Sequence, residues 1–242
     1  MNLIIDLGNT QVKLAVFDHG ICRDKVTTAH KDYLNEINTL YLKYPKITRA
    51  ILASVNQISD NNLKQLQDLF ELLVLDSLTK VPFKNCYQTP LTLGVDRVAL
   101  ISAAVHKYPK KNVLIIDAGT CITYDFVDDQ MAYHGGAISP GIRVRYKALH
   151  NQTANLPLLI IKKPMKMIGN STTECIHSGV INGVLLEIEG VVAAYEKKYP
   201  DLIIVLTGGD AKFLSKQLKS SIFANSNFLL EGLNTIVEFN NI

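Results

Sequence analysis

The sequence predicts an α/β protein with two similar halves, each a mixed sheet flanked by helices. A repeated unit is the first indication: Ile4-Ile5-Asp6-x-Gly8 matches Ile115-Ile116-Asp117-x-Gly119 about 110 residues later, and a Thr and a second strand-like run follow each copy. Short apolar runs of strand length also alternate with segments of helical periodicity. The 242 residues are enough for one large domain or for two smaller ones.

The first half begins with residues 3–5 and 13–17 as the strands of a hairpin, because Gly8 and Asn9 tolerate the positive φ of a tight turn. A strand over 21–28 completes a meander. The other elements predicted here are a helix over 31–43, a strand over 50–55, a helix that Asp60 caps, a strand over 72–75, a loop over 77–91 and a helix within 92–108. Residues 109–112 form the predicted hinge, and we therefore expect domains at 1–111 and 112–242.

The second half opens with the repeated hairpin, over 115–128, and a third strand over 131–138. A glycine-lined turn then leads into a helix that ends near His150, and residues 151–170 are expected to be irregular. A helical pattern over 171–199 predicts one long helix of roughly 40 Å. A strand over 202–206 and helices over 211–219 and 229–239 complete the prediction.

The composition favours a cytoplasmic protein without nucleic-acid or membrane partners. The net charge is only +3 and no run of Lys or Arg exceeds two residues, which argues against nucleic acid. The apolar runs are shorter than a bilayer requires, and no signal peptide precedes the first strand. The four cysteines are widely spaced and form neither a zinc pattern nor a C-x-x-C pair.

Both glycine turns suit the binding of phosphate. Gly8 and Gly119 allow a phosphate to approach backbone N–H groups, and the Thr that follows adds a hydroxyl donor. The acid before each glycine, Asp6 or Asp117, can hold a hydrated Mg²⁺ beside the phosphates. One such turn would fit an ordinary strand end equally well, but two copies with matching flanks favour phosphate binding. Neither G-x-x-x-x-G-K-[ST] nor G-x-G-x-x-G occurs in the chain.

The stretch Leu93-Gly94-Val95-Asp96-Arg97 is the second informative segment. Asp96 is either an acid that caps a helix or a general base that takes a proton from a substrate hydroxyl. Arg97 is correspondingly either a solvated neighbour or the residue that binds an anionic group of the substrate.

Two further glycine-containing stretches leave alternatives open. Thr207-Gly208-Gly209-Asp210 is either an ordinary strand-to-helix turn or a close approach to the nucleoside of ATP. Gly179, Gly183 and Gly190 lie within the long predicted helix, where a glycine costs about 1 kcal/mol relative to alanine. They indicate either tight packing against a sheet or a close helix–helix contact across a dimer axis.

In order and spacing these stretches resemble the type III pantothenate kinases, and the paired hairpins resemble the actin, Hsp70 and sugar-kinase superfamily. The resemblance covers essentially the whole chain. It is carried by Asp6-x-Gly8-Asn9-Thr10, Leu93-Gly94-Val95-Asp96-Arg97, Ile116-Asp117-x-Gly119-Thr120, Gly135-Gly136-x-Ile138-x-Pro140-Gly141, Ser171-Thr172-Thr173-Glu174 with Ser178-Gly179, and Thr207-Gly208-Gly209-Asp210. It implies two actin-like (ribonuclease H-like) domains around a nucleotide cleft.

The resemblance also implies the roles of particular residues. The ATP-binding residues would be Asp6, Leu7, Gly8, Asn9, Thr10, Gln11, Val12, Lys13 and Thr120. The pantothenate-binding residues would be Tyr87, Gly94, Val95, Asp96, Arg97 and Thr172, with Asp96 as the catalytic general base. Asp117 would bind a monovalent cation, K⁺ or NH₄⁺, and Mg²⁺ would accompany ATP. The family resemblance further implies a homodimer with its substrate site near the subunit interface.

The expected activity is ATP-dependent phosphorylation of pantothenate to 4′-phosphopantothenate, the first step of coenzyme A biosynthesis. One alternative is a kinase of the same fold that acts on another small hydroxyl or carboxyl acceptor. Another is a non-catalytic nucleotide-binding regulator, which would be expected to lack at least one of the four charged residues. All four, Asp6, Asp96, Arg97 and Asp117, are present, which favours an enzyme.

Overall fold

The computed structural model describes residues 1–54 and 58–241, so the end of the strand predicted over 50–55 lies outside the described residues. The chain divides into two compact units. The first comprises Met1–Pro109, Met131–Tyr133 and Asn227–Ile242, and the second comprises Lys110–Gln130 and His134–Ser226.

The first unit is built on a five-stranded mixed sheet in the order β3-β2-β1-β4-β5. Its strands are β1 (Asn2–Leu7), β2 (Val12–Asp18), β3 (Ile21–Thr28), β4 (Arg49–Ser54) and β5 (Glu71–Val74). Every residue of β1 is buried, because this strand lies in the middle of the sheet between an antiparallel β2 and a parallel β4. The predicted meander is confirmed, including the bounds of its third strand.

Helices α1 (Tyr33–Lys43) and α2 (Asp60–Leu69) pack on this sheet, and their Ile37, Leu40 and Leu66 join the core of the unit. The predicted cap of α2 is wrong by one residue. Ser59 precedes the helix, and its Oγ accepts a hydrogen bond from the backbone N–H of Asn62 at 3.4 Å. A short hydroxyl side chain in this position satisfies one of the free N–H groups at the helix start.

The predicted loop over 77–91 contains two short elements that the sequence did not indicate. Strand β6 (Lys84–Asn85) runs parallel to Ala132 and Tyr133, and a 3₁₀ turn covers Pro90–Thr92. Helix α3 (Val95–Lys107) follows at once, with Gly94 at its N-cap. Backbone pairing thus fixes the start of this segment, although its sequence has no strand-like alternation.

The second unit carries strands β7 (Val113–Ala118), β8 (Cys121–Val127), β10 (Ile203–Thr207) and β11 (Phe223–Ala224), together with β9 (Ala132–Pro140) from His134 onward, in the order β11-β10-β7-β8-β9. Strand β7 is antiparallel to β8 and parallel to β10, which repeats the arrangement of β1 with β2 and β4 in the first unit. The repeated hairpin predicted from the sequence is therefore confirmed in both units.

The helices of the second unit begin with α4 (Ile142–Asn151). They continue with α5 (Thr172–His177), a π-helical turn over Ser178–Asn182, α6 (Gly183–Lys198) and the single turn α7 (Ala211–Leu214). Together, α5, the π turn and α6 form one continuous helix, as predicted, and residues 152–170 are irregular, also as predicted. The helix predicted over 211–219 is wrong in length, and β11 was not anticipated.

The long helix Thr172–Lys198 changes one expectation about the apolar stretches. With 27 residues it is long and apolar enough to cross a bilayer, so the sequence-based argument from length was wrong. Such a helix is weak evidence for a membrane, because the core helices of soluble proteins satisfy the same criterion. Here Val180, Val184, Ile188 and Val192 are buried in the core of the second unit, as in a core helix.

The three glycines of this helix do not pack tightly against its own sheet. A Cβ built at Gly179, Gly183 or Gly190 would meet no atom within 4 Å in the described part of the chain. Packing within the chain therefore does not explain these glycines, and that alternative is wrong.

The last helix, α8 (Phe228–Asn240), belongs to the first unit and not to the second, so the predicted domain 112–242 needs a correction. It packs on α3, β1 and β4, and buries Phe228, Leu230 and Leu233. The predicted hinge at 109–112 does contain the division after Pro109. The return of the chain could not be read from the sequence, because the amphipathic pattern of a helix does not say which sheet it covers.

Candidate active site

The turn between β1 and β2 places an acid and a lysine opposite each other in the first unit. Asp6 pairs with Lys13 in the antiparallel ladder, and the Lys13 Nζ lies 3.5 Å from the Asp6 Oδ2. Asn9, Thr10 and Gln11 are exposed at the tip of the turn. The Gly8 backbone is held by His30, whose Nε2 lies 2.9 Å from the Gly8 carbonyl oxygen.

Asp6 and Asp96 lie close enough for their charges to interact. Asp6 is buried, and burial raises the pKa of its carboxyl group above the ordinary value; Lys13 lowers this pKa in part, and the negative charge of Asp96 raises it further. The structure thus brings together two carboxylates that are 90 residues apart in the sequence, in the same unit. Neighbouring carboxylates with different environments are typical of sites where protons are moved.

Asp96 itself lies in the first turn of α3 and is half-buried. Its Oδ1 accepts a hydrogen bond from the backbone N–H of Arg97 at 2.8 Å. Gly94, and not Asp96, is the N-cap of the helix, so the interpretation of Asp96 as a capping acid is wrong. A Cβ on Gly94 would come within 2.4 Å of the Asp96 Oδ1, and glycine therefore leaves this carboxylate room to fold back over the helix start.

Arg97 is held among aromatic rings and is not a solvated neighbour, since only 6% of the residue is exposed. Its guanidinium carbon lies 5.5 Å from the ring centre of Tyr87 and 5.9 Å from that of Tyr133, and its Nη2 donates to the Tyr133 hydroxyl at 2.6 Å. Phe83 packs edge-on against Tyr133. Stacking on aromatic faces keeps the guanidinium plane in a fixed orientation.

Tyr133 is the residue of this group that sequence reasoning missed. It lies in β9, whose first residues pair with β6 and belong to the first unit. No sequence motif marks it. Its contact with Arg97 depends on a strand pairing between segments almost 50 residues apart, which the spacing of residues does not reveal.

In the second unit the corresponding turn lies between β7 and β8. Asp117 is half-buried at the end of β7, and Thr120 is exposed. The turn after β10 packs directly on it: a Cβ on Gly208 would lie 2.3 Å from the Asp117 Oδ1, and Gly208 has a φ of +95° that favours glycine. The backbone N–H of Asp210 donates to the Ala118 carbonyl at 2.9 Å.

The start of α4 closes the other side of this turn. The N–H of its N-cap, Gly141, donates to the Thr120 carbonyl at 3.0 Å, and a Cβ on Gly141 would lie only 2.2 Å from the Gly119 carbonyl. Two glycine-containing stretches that looked unrelated in the sequence thus meet at the Gly119–Thr120 turn. Close packing at both positions explains why glycine is needed there.

Thr172 occupies a different place in the second unit. It is the first residue of α5, which Ser171 caps by accepting from the Glu174 N–H at 3.3 Å. Thr172 lines a largely apolar cavity of about 1240 Å³ together with Leu149, Ile176 and Gly179. Neither Asp117 nor Thr120 lines this cavity.

Among solved structures, a protein from Campylobacter jejuni described as a Baf family transcriptional activator matches with a TM-score of 0.65 at 21% identity, covering 99% of this chain and 98% of that chain. A glucokinase from an Antarctic psychrotroph matches with a TM-score of 0.55 at 13% identity, covering 98% of each chain. These likenesses establish the fold, which is that of the actin-like kinases, as predicted.

Two comparisons of sequence decide the family. The model of the family described as "Type III pantothenate kinase" matches residues 2–194 of this chain. Proteins of that name from Christiangramia forsetii and Flavobacterium psychrophilum are 52% and 47% identical to this chain, and in each case the match covers 99% of both chains. The chain belongs to the type III pantothenate kinase family. It is therefore an ATP-dependent kinase that phosphorylates pantothenate in coenzyme A biosynthesis, as the family resemblance implied.

Proposed function

We propose that this kinase transfers the γ-phosphoryl group of ATP to the terminal hydroxyl of pantothenate, with Asp96 as the general base. The observation that supports this role is the position of Asp96: its carboxylate is half-buried, folded over the helix start beside Gly94, and near the ionisable Asp6. A carboxylate so placed can accept the hydroxyl proton while the oxygen forms its bond to phosphorus and ADP leaves.

The acceptor is proposed to lie beside Tyr87, Gly94, Val95 and Arg97. Pantothenate carries a carboxylate, and a guanidinium that two tyrosine rings hold in place is suited to orient such an anion. Only 6% of Arg97 is exposed, so little of its surface is open to a substrate. Thr172 is proposed as a further pantothenate contact by family resemblance.

The two turns are each proposed to bind phosphate oxygens of ATP, through residues 6–13 in the first unit and Thr120 in the second. Mg²⁺ prefers carboxylate, phosphate and water oxygens, and Asp6, whose only ion-pair partner in the described residues is Lys13, fits that donor chemistry. Asp117 and the Ala118 carbonyl, both beside Gly208, offer oxygen atoms that fit K⁺ or NH₄⁺ as ligands. When bound, these cations would neutralise phosphate charge.

The test of the general base is Asp96→Asn, which keeps the shape of the side chain and removes its basicity. We expect turnover to fall by roughly 100- to 10,000-fold while ATP binding and the melting temperature stay near the wild-type values. The measurement is a coupled ADP-release assay with and without pantothenate, first in K⁺ and then in Na⁺ buffer. Near wild-type turnover of the variant would remove Asp96 from this role.

We also propose a homodimer in which the second unit forms the interface. Large apolar side chains are exposed there, including Ile160, Met165, Ile168 and Leu186, which are 64–94% accessible. The open glycines of the long helix would let a second helix approach closely. Sedimentation of wild type and Leu186→Arg tests this: the wild type should sediment as a dimer and the variant as a monomer, and a monomeric wild type would contradict the proposal.

A cytoplasmic location is proposed as well, because the ATP and pantothenate that this metabolic kinase uses are handled inside the cell.

A further inference from the structure

Helix α4 carries an arginine in an unusual setting. Arg143 lies in the first helical turn, where the helix dipole disfavours a positive charge and where no acidic residue is present. Its side chain is 62% exposed, and its Nη1 donates to the Oδ1 of Asp210 at 2.7 Å. In the described part of the chain, Asp210 is its only hydrogen-bond partner.

The carboxylate of Asp210, which accepts this hydrogen bond, lies in an unfavourable environment. Its side chain is only 5% exposed, and its Oδ2 is buried without a hydrogen-bond partner among the described residues. A buried carboxylate is unfavourable unless it is paired and hydrogen-bonded, and the cost of desolvating it offsets much of the attraction between the two charges. Stability therefore does not account for this pair.

Arg145, two residues further along α4, has a structural role and can be compared with Arg143. It donates to the Pro140 carbonyl at 2.8 Å and to the Ser139 Oγ at 2.9 Å, and it also pairs with Glu187. These contacts tie the start of α4 to α6. Arg143, by contrast, leaves four of its five N–H donors directed to no group of the described chain.

The position of Arg143 is fixed by the Gly119–Thr120 turn through two independent contacts. Its helix begins at Gly141, whose N–H donates to the Thr120 carbonyl, and its anchor Asp210 donates from its own N–H to the Ala118 carbonyl. Both the backbone and the side chain of Arg143 are therefore placed relative to the turn that is proposed to bind phosphate.

We propose that Arg143 is the cation of the second unit that binds the phosphates of ATP, and that Asp210 is the residue that positions it. A guanidinium anchored through one nitrogen can present its remaining donors to two phosphate oxygens at once. Asp210 fixes the orientation of the group before the nucleotide arrives, which reduces the entropy lost on binding. This inference rests on the proposed function, because it assumes that the turn binds ATP.

The experiment compares Arg143→Met and Arg143→Lys with Lys147→Met, an exposed lysine one turn later on α4 that serves as the matched control. Calorimetry on the full-length enzyme measures the binding of ATP, ADP and adenosine. We expect Arg143→Met to weaken ATP and ADP binding by roughly 10- to 100-fold and to leave adenosine binding unchanged. Arg143→Lys should recover part of the loss, and Lys147→Met should match the wild type.

Steady-state kinetics provide the second readout. Arg143→Met should raise the KM for ATP and leave the KM for pantothenate unchanged. Asp210→Asn should also weaken ATP binding, but by less than Arg143→Met does. Equal ATP binding by wild type and Arg143→Met, or equal losses for ATP and adenosine, would overturn the inference. A wild type that binds no ATP would instead contradict the proposed function, so the two failures are distinguishable.

Discussion

The contact between α8 and α3 allows a sharp test of how the C-terminal helix is held in the first unit. Gly232 lies in α8 and faces α3, and a Cβ at this position would come within 1.8 Å of the Ala99 carbonyl oxygen. We predict that Gly232→Ala destabilises the first unit. The prediction concerns packing alone, because the glycine has an ordinary helical conformation.

Two terms of opposite sign determine the size of the effect. Alanine in place of glycine within a helix stabilises by about 1 kcal/mol. Carbon–oxygen contacts require about 3.3 Å, so the two helices would have to separate by about 1.5 Å. Overpacking of this kind costs about 1–3 kcal/mol, and we expect the upper end because the atom in the way is backbone and not a flexible side chain. The net loss is about 2 kcal/mol, which corresponds to about 4–8 °C in melting temperature.

Differential scanning calorimetry is the appropriate assay, because a chain with two compact units can unfold in two transitions. The control is Thr235→Ala on the same helix, which removes atoms and leaves the helix contact in place. Among the described residues, the Thr235 hydroxyl donates only to the Glu231 carbonyl, one turn earlier. It should shift the melting temperature by less than half as much. An unchanged or higher melting temperature for Gly232→Ala would refute the argument from close packing.

Two further predictions concern the charged groups of the first unit. Burial raises the pKa of Asp6 above 3.8, so between pH 3.8 and the folded-state pKa the folded protein binds more protons than the unfolded one. The folded state is therefore destabilised most above this pH range, where Asp6 is ionised. Asp6→Asn should therefore raise the melting temperature at neutral pH and abolish turnover. The increase in melting temperature should disappear as the pH falls toward 3.8, and an increase that grows at low pH would contradict this reasoning. Tyr133→Phe removes the hydroxyl that accepts from the buried Arg97, and should cost about 1.5 kcal/mol of unfolding free energy in urea denaturation. Tyr87→Phe, which keeps the other ring against Arg97, is the stability control, and equal unfolding midpoints for the two variants would contradict the role of the Tyr133 hydroxyl.

Local chemistry made much of the fold predictable. The repeated hairpins could be located because a buried apolar run, an acid and a glycine define a strand end wherever they occur, and both β1–β2 and β7–β8 formed there. The long helix was predictable for the same reason, since its apolar residues recur on one face. The short strands β6 and β11 were not, because each has two residues and depends on the strand beside it.

The sequence by itself determined which residue types stand at the two turns and at the start of α3, and hence the family and the reaction. Only the tertiary structure decided which of them meet. It placed the Asp96 charge near Asp6, put Tyr133 against Arg97, and set Arg143 on a buried Asp210. The physical reason is that motifs record local backbone geometry, whereas contacts between distant segments follow from strand pairing and helix packing, which no single stretch of sequence contains.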